Sequence, residues 1–128
     1  MEIKHNVVGW FEIPVTDMDR AIRFYESVFE FKLTRTTMGP IDMALFPSVE
    51  NSIGSAGSLV YYPEYYQPSP NGTLIYFTAF SGDVSVELGR AAAAGGTVLM
   101  PKTLISKEVG YMSLFSDSEG NRVAIHSH

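Results

Sequence analysis

A single carboxylate interrupts an otherwise apolar, strand-like stretch near the start of the chain, "GWFEIPVTD" at residues 9–17. Alternate side chains of a strand share a face, so Trp10 and Glu12 lie on one face and Phe11 on the other. Burying an unpaired carboxylate is costly, so the face that carries Glu12 is expected to border water or a functional cavity. Glu12 is therefore the first candidate for general acid–base catalysis or for holding a polar group of a ligand. The structural alternative is an ion pair with an arginine such as Arg122.

The composition excludes several other kinds of chemistry. The chain of 128 residues contains no cysteine, which rules out disulfides, thiolate catalysis and cysteine-ligated zinc. It has neither a Gly-x-Ser-x-Gly elbow nor a glycine-rich phosphate loop. The net charge is -5 and the basic residues are scattered, so neither nucleic acid nor a membrane surface is an expected partner. No long apolar segment or signal-like N-terminus is present, and a cytoplasmic location is the default expectation.

The strand that carries Glu12 belongs to a unit that recurs in the second half of the chain. The apolar residues of "MDRAIRFYESVFEF", which follows it, have helical spacing, with Thr16 or Asp17 as the N-cap. Downstream, the strand-like "LIYFTAFSGD" leads through Asp83 into "VSVELGRAAAAGG", a second helix expected to end at residues 95–96. The apolar face of this second helix is predicted to comprise Val84, Leu88, Ala91 and Ala92.

Three further strand-like segments follow each helix, bounded by Gly, Pro, Ser, Asn or Asp. Each half is thus predicted to be a βαβββ module within a single α+β domain. The first module spans residues 5–63 and the second residues 73–128, and the Pro- and Tyr-rich residues 64–72 form a strap between them. Two four-stranded mixed sheets, each covered by a helix on one face, can curve so that their other faces enclose a cleft.

Three segments carry a resemblance to a known family: "PVTDMDRAIRFYESVFEF", "GDVSVELGRAAAAGGTVLMP" and "FSDSEGNRVAIHS". In this order they resemble the glyoxalase, bleomycin-resistance and extradiol-dioxygenase superfamily, also called vicinal oxygen chelate. The resemblance covers nearly the whole chain and implies the paired-module fold, with a divalent metal held between the modules in its enzymes.

The metal-ligand positions that the resemblance implies carry unsuitable residues in this chain. The opening-strand ligand falls on Trp10, its counterpart in the second module on Tyr76, and the acidic ligand of the last strand on Ala124. Residues 51–63, where the remaining ligand should lie, contain no Asp, Glu or His. Divalent metals need ionised oxygen or imidazole donors, so we expect no cofactor at this site.

Aromatic side chains replace the missing ligands. Trp10 and Tyr76 occupy equivalent points of the two modules, and together they can hold a flat or apolar ligand in the cleft. The alternative is that they pack together as core. Glu12 shares the face of Trp10 and Thr78 is its counterpart, so both are predicted to be ligand-binding residues.

His126 is the remaining candidate site residue, because it shares a strand face with Ala124. With Glu12 it could form an acid–base pair or a displaced site for Ni, Zn, Fe or Mn, completed by Glu64 or a residue of a partner chain. Two protein ligands are fewer than the three that catalytic zinc usually has.

Two classes of function remain open from the sequence. The first is a bleomycin-resistance-like protein that binds a small molecule in an aromatic cleft without metal. The second is a metal-dependent lyase, isomerase or dioxygenase of glyoxalase type with a rearranged site; an enzyme that uses Glu12 as a base without metal is a weaker third. The strap contributes two of the four tyrosines within residues 61–66, and tyrosine is favoured in interfaces, so a homodimer is expected.

Overall fold

The computed structural model describes residues 1–128. The elements in chain order are β1 (Trp10–Pro14), α1 (Met18–Phe29), β2 (Thr34–Met38), β3 (Ile41–Leu45), β4 (Ala56–Tyr61), β5 (Tyr76–Thr78), α2 (Val84–Ala93), β6 (Thr97–Ser106), β7 (Gly110–Ser116) and β8 (Arg122–Ser127). The strands form two four-stranded sheets with the orders β1-β4-β3-β2 and β5-β8-β7-β6. Neither helix is both long and apolar enough to cross a membrane. The predicted α+β architecture of two βαβββ modules is confirmed.

Each sheet begins with a parallel pair at one edge. β1 pairs with β4 so that Trp10 lies opposite Ala56, and β5 pairs with β8 so that Tyr76 lies opposite Ala124. The remaining pairs are antiparallel. β5 is shorter than the predicted segment, although hydrogen bonds to β8 continue at Ile75 on one side and at Ala79 on the other. The two modules therefore have the same strand order and equivalent strand registers.

Both helices begin at an aspartate, as the capping pattern predicts. The side chain of Asp17 accepts a hydrogen bond from the backbone N–H of Arg20, and that of Asp83 accepts one from Ser85. α2 ends before Gly95, whose positive φ of 105° is a conformation that glycine adopts without strain. These caps fix where each helix starts relative to the strand before it.

An aromatic core joins the two modules. Phe77 of β5 packs against Phe29 of α1, with ring centroids 4.8 Å apart, and against Phe11 of β1 at 6.0 Å. Tyr25 of α1 is fully buried and contacts Phe46 and Phe77. Large aromatic side chains bury much apolar area, so this cluster supplies a main part of the stabilisation between the modules.

The buried face of α2 differs from the prediction at two positions. Ala92 is exposed, so its predicted place on the apolar face is wrong, whereas Glu87 is almost completely buried. The Glu87 carboxylate accepts hydrogen bonds from the hydroxyl of Ser81 at 2.6 Å and from the backbone N–H of Ser81 at 3.1 Å. Because these bonds satisfy its oxygens, an acid can occupy a position that the periodicity assigns to an apolar side chain.

Residues 117–121, between β7 and β8, dock on the start of α1. We call this segment the second-module turn. The Glu119 carboxylate accepts hydrogen bonds from the backbone N–H groups of Thr16 and Asp17, both at 2.9 Å, and from Nε of Arg20 at 2.8 Å. Asn121 Nδ2 donates to the carbonyl of Pro14 at 2.8 Å. The second module thereby positions the end of β1 and the entry to α1.

A buried hydrogen bond lies beneath this turn. The hydroxyl of Tyr25 donates to the Asp117 carboxylate at 2.6 Å, and both residues are buried. Burial raises the pKa of Asp117, and burial together with the neighbouring Asp117 charge raises the pKa of Tyr25 well above its usual value. The pair ties the middle of α1 to the second-module turn.

Candidate functional site

A cleft of about 1360 Å³ runs along β1 of the first module and β5 of the second. Both are edge strands of their sheets, and every residue of both strands lines the cleft. The start of β8, residues 46–50 and 52–56 and part of the strap also contribute to the walls. The site therefore lies where the two modules meet, which is also where the aligned repeats place Trp10 and Tyr76.

Trp10 and Tyr76 stand in the cleft rather than in the core. The exposed fraction is 45% for Trp10 and 50% for Tyr76, so neither side chain is used to fill the interior. The indole Nε1 of Trp10 donates a long hydrogen bond of 3.4 Å to Glu12. The Tyr76 hydroxyl contacts the sulfur of Met112 at 3.6 Å. Each ring thus has a polar contact at one end while about half of its surface remains open.

Glu12 is held by neighbouring side chains on the cleft wall. Its carboxylate accepts a hydrogen bond from the hydroxyl of Tyr66 at 2.7 Å, in addition to the contact from Trp10. That bond raises the pKa of Tyr66, since loss of the phenol proton would bring two negative charges together. The ion pair with Arg122 that the sequence offered as an alternative is absent.

Tyr66 is the site residue that the sequence did not identify. It lies in the strap, which also donates the backbone N–H of Ser69 to the side chain of Asn121 at 3.2 Å. The strap therefore contacts β1 of the first module and the second-module turn. The cluster of tyrosines was a visible signal, but four of them occur within a few residues, and only the path of the chain decides which one reaches Glu12.

Thr78 lines the cleft as predicted for the counterpart of Glu12, whereas His126 does not line it. The imidazole Nε2 of His126 lies 2.6 Å from the carbonyl oxygen of Val109, and its ring packs edge-on against His128. These contacts hold His126 at the β6–β7 hairpin. Glu64 is exposed and also lies outside the cleft. The structure therefore does not bring Glu12, His126 and Glu64 together in one site.

The loop between β3 and β4 forms one wall of the cleft. This first-module loop, residues 47–55, exposes two apolar side chains, Val49 at 77% and Ile53 at 97%. Both line the cleft. Large apolar side chains at such exposure are costly in water, so their position at the cleft mouth favours contact with an apolar group.

Comparison with protein-family models agrees with the fold. The model of the Glyoxalase/Bleomycin resistance protein/Dioxygenase superfamily matches residues 7–125. The chain belongs to this superfamily. A comparison with curated proteins found no match.

Several solved structures share the fold at low sequence identity. A glyoxalase/bleomycin resistance protein from Albidiferax ferrireducens T118 is 15% identical with a TM-score of 0.70, and the match covers 96% of this chain and 99% of that one. A hypothetical protein from S. aureus is 18% identical with a TM-score of 0.69, covering 98% and 96%. A glyoxalase I variant from Zea mays is 16% identical with a TM-score of 0.68. That match covers 93% of this chain but 46% of the maize chain, so the protein spans about half of its length.

The superfamily's usual metal positions do not fit a metal in this chain. The strand registers place Trp10 beside Ala56 and Tyr76 beside Ala124, so each module offers one aromatic ring and one methyl group. An indole, a neutral phenol and two methyl groups are not donors for a hard or borderline divalent cation. No group of three or more His, Asp or Glu side chains elsewhere is arranged to hold one.

Proposed function

We propose that this protein binds a small, flat, largely apolar molecule in the cleft and holds it between Trp10 and Tyr76. The observation that carries the proposal is the pair of half-exposed rings on walls from different modules. Flat ligands gain affinity from buried aromatic area, and a ring left half open on a cleft wall has that area to offer. The hydroxyl of Thr78 and the Glu12 carboxylate, which Tyr66 holds by a hydrogen bond, supply polar groups that can orient the ligand.

Binding without a metal at the superfamily's usual positions is part of this proposal. Its support is the chemistry of the four residues at those positions, none of which is a metal donor. Such a protein would sequester its ligand, as a bleomycin-resistance-like binder does. A lyase, isomerase or dioxygenase with a rearranged metal site is the competing function.

We also propose that the protein works as a homodimer. The cleft mouth carries further exposed apolar side chains, among them Val7, Val8 and Phe80. Patches of this kind commonly mark interaction surfaces. Sedimentation equilibrium of the purified chain is expected to give twice the monomer mass, and a monomer at all concentrations would contradict the dimer.

Calorimetric titration with naphthamide, a flat neutral probe, tests the binding site. We expect saturable binding, and we expect both Trp10→Leu and Tyr76→Ala to weaken it about tenfold through loss of buried aromatic area. Tyr65→Ala is the matched control, because Tyr65 is an exposed tyrosine of the strap that does not line the cleft. If naphthamide does not bind, or if the control loses as much affinity as Tyr76→Ala, the aromatic cleft is not the site.

Elemental analysis of protein purified without chelator or affinity tag separates the metal-free binder from the metal enzyme. We expect no stoichiometric metal and no saturable thermal shift on addition of Ni²⁺, Zn²⁺, Fe²⁺ or Mn²⁺. One bound metal per chain would favour the enzyme, and Glu12→Gln and His126→Ala would then show whether these residues hold it.

A further inference from the structure

Arg122 is a partly buried cation without a partner in the protein. Arg20, Arg35 and Arg90 each form a salt bridge with a carboxylate. Arg23 forms none, but it is exposed on α1. Arg122 also forms none, yet its Nε is buried and donates no hydrogen bond. It is thus the arginine whose buried Nε has no hydrogen-bond acceptor in the protein.

The position of Arg122 places it in the cleft. It is the first residue of β8 and lines the cleft. In β8 it shares a face with Ala124, which lies directly opposite Tyr76 in the parallel pair. The guanidinium and the open ring of Tyr76 therefore belong to the same wall of the cleft.

The other charged residues of the cleft do not neutralise Arg122. Glu12 is engaged by Tyr66 and Trp10. Glu50 lies on the exposed first-module loop and forms no salt bridge. A partly desolvated guanidinium with unpaired N–H donors is unfavourable unless an anion accepts hydrogen bonds from it. Its planar fork matches the two oxygens of a carboxylate better than it matches any neutral group.

We propose that Arg122 is an anion subsite of the cleft and that the bound molecule is a planar aromatic or otherwise flat carboxylate. This inference rests on the proposed function and specifies the class of its ligand. The flat body lies against Trp10 and Tyr76 while the carboxylate pairs with the guanidinium. The protein carries a net charge of -5, so its overall field disfavours anions, and selection of one requires a local cation of this kind.

Three probes with the same naphthalene ring and different charge test the inference by calorimetry. They are naphthoate, its neutral amide naphthamide, and the cation naphthylmethylammonium. We expect the wild-type protein to bind naphthoate at least about tenfold more tightly than either other probe, as a charge-assisted bidentate pair implies. We also expect this preference to shrink when the salt concentration is raised, because the cleft is open to solvent.

Two variants locate the effect at Arg122. Arg122→Gln is expected to reduce naphthoate affinity about tenfold while leaving naphthamide affinity unchanged. Arg122→Lys retains the charge and is expected to recover part of the preference. Arg23→Gln is the matched control, because it removes an unpaired arginine outside the cleft. The comparison of probes on the wild-type protein needs no variant and stands even if Arg122→Gln fails to fold.

The outcomes separate this inference from the function on which it rests. Equal binding of naphthoate and naphthamide overturns the anion subsite and leaves the aromatic cleft intact. A preference for naphthylmethylammonium overturns it too, and points to Glu12 as the charged contact. A naphthoate preference that persists in Arg122→Gln, or disappears in Arg23→Gln, places the anion elsewhere. If none of the probes binds, the proposed function itself fails.

Discussion

The same connection of the repeat, from the third to the fourth strand of a module, is used in two different ways. In the second module it is the turn 117–121, which hydrogen-bonds to the start of α1. In the first module it is the loop 47–55, whose only side-chain hydrogen bond joins Ser55 to its neighbour Ala56. The turn holds the modules together, whereas the loop leaves apolar side chains exposed at the cleft.

The two helices show the consequence of this difference. The first turn of α1 receives Glu119 from the other module. The first turn of α2 receives nothing from the first-module loop and is held instead by nearby residues, with Asp83 paired to Lys102 and Glu87 bonded to Ser81. One copy of the repeated connection thus holds the two modules together, while the other makes no such contact and lines the cleft.

Removing Asp117 is expected to have the largest effect on the turn. Asp117→Ala leaves the buried Tyr25 hydroxyl without its acceptor and also frees the backbone N–H groups of Glu119 and Asn121. Unsatisfied buried donors are costly, and we expect a loss of about 3 kcal/mol in the free energy of unfolding, measured by urea denaturation. Glu50→Ala in the first-module loop is the counterpart and is expected to cost less than about 0.5 kcal/mol. Similar losses of unfolding free energy in both variants would show that the second-module turn stabilises the domain no more than the first-module loop does.

Glu119→Gln is expected to have a smaller, pH-dependent effect. Burial alone would raise the pKa of Glu119, but hydrogen bonds from Arg20 and from the backbone of Asp17 and Thr16 outweigh it and hold the pKa at about 2, below its usual 4.5. A depressed carboxyl pKa contributes stability that is present above the unfolded-state pKa of 4.5 and is lost as the pH falls towards 2. At pH 7 the variant should lose about 2 kcal/mol of unfolding free energy, less than the full pKa shift implies, because Arg20 is about half exposed and solvent screens the pair.

Urea denaturation of the wild type and Glu119→Gln between neutral pH and pH 2 checks this sign. The difference between their unfolding free energies should shrink as the pH falls below about 4.5, because the unfolded state then takes up a proton at Glu119 that the folded state does not bind until about pH 2. Glu50→Gln serves as the control, with an expected change below about 0.5 kcal/mol at pH 7. A wild-type advantage that stays constant down to pH 2 would show that the Glu119 charge does not stabilise the contact.

Ile53→Ser is expected to have the smallest effect on stability and a clear effect on binding. Ile53 is 97% exposed, so its replacement should change the free energy of unfolding by less than about 0.5 kcal/mol. If the first-module loop contacts the ligand, naphthamide binding should weaken several-fold in calorimetry. Val109→Ser, at an exposed valine outside the cleft, is the control. Unchanged naphthamide binding by Ile53→Ser would show that the ligand contacts β1 and β5 but not Ile53 of the first-module loop.

Local patterns in the sequence were sufficient to predict the fold. Helical spacing and the caps at Asp17 and Asp83 placed both helices, and the repeat predicted the pairing of two similar sheets. The placement of Trp10 and Tyr76 at equivalent points also followed from the repeat, as their registers opposite Ala56 and Ala124 show. Features that depend on periodicity are local, so they can be obtained without the tertiary structure.

Contacts between distant segments could not be predicted in the same way. Glu119 has no pattern that directs it to α1, and the partner of Glu12 was expected to be Arg122 or His126 rather than Tyr66. Such pairs depend on how the strap and the turn cross the sheets, which alternation and spacing do not encode. The same limit explains why Glu87, a charged residue, was not expected in the core.

The contact between the second-module turn and α1 also constrains the order of events during synthesis. Glu119 is 103 residues from Thr16, and Asp117 is 92 residues from Tyr25. During synthesis the N-terminal end of α1 lacks these partners until nearly the whole chain has emerged. Contacts between residues so far apart in sequence form late and slow folding. A nascent chain that stops before residue 117 would therefore expose an incomplete α1 to the quality-control machinery of the cell.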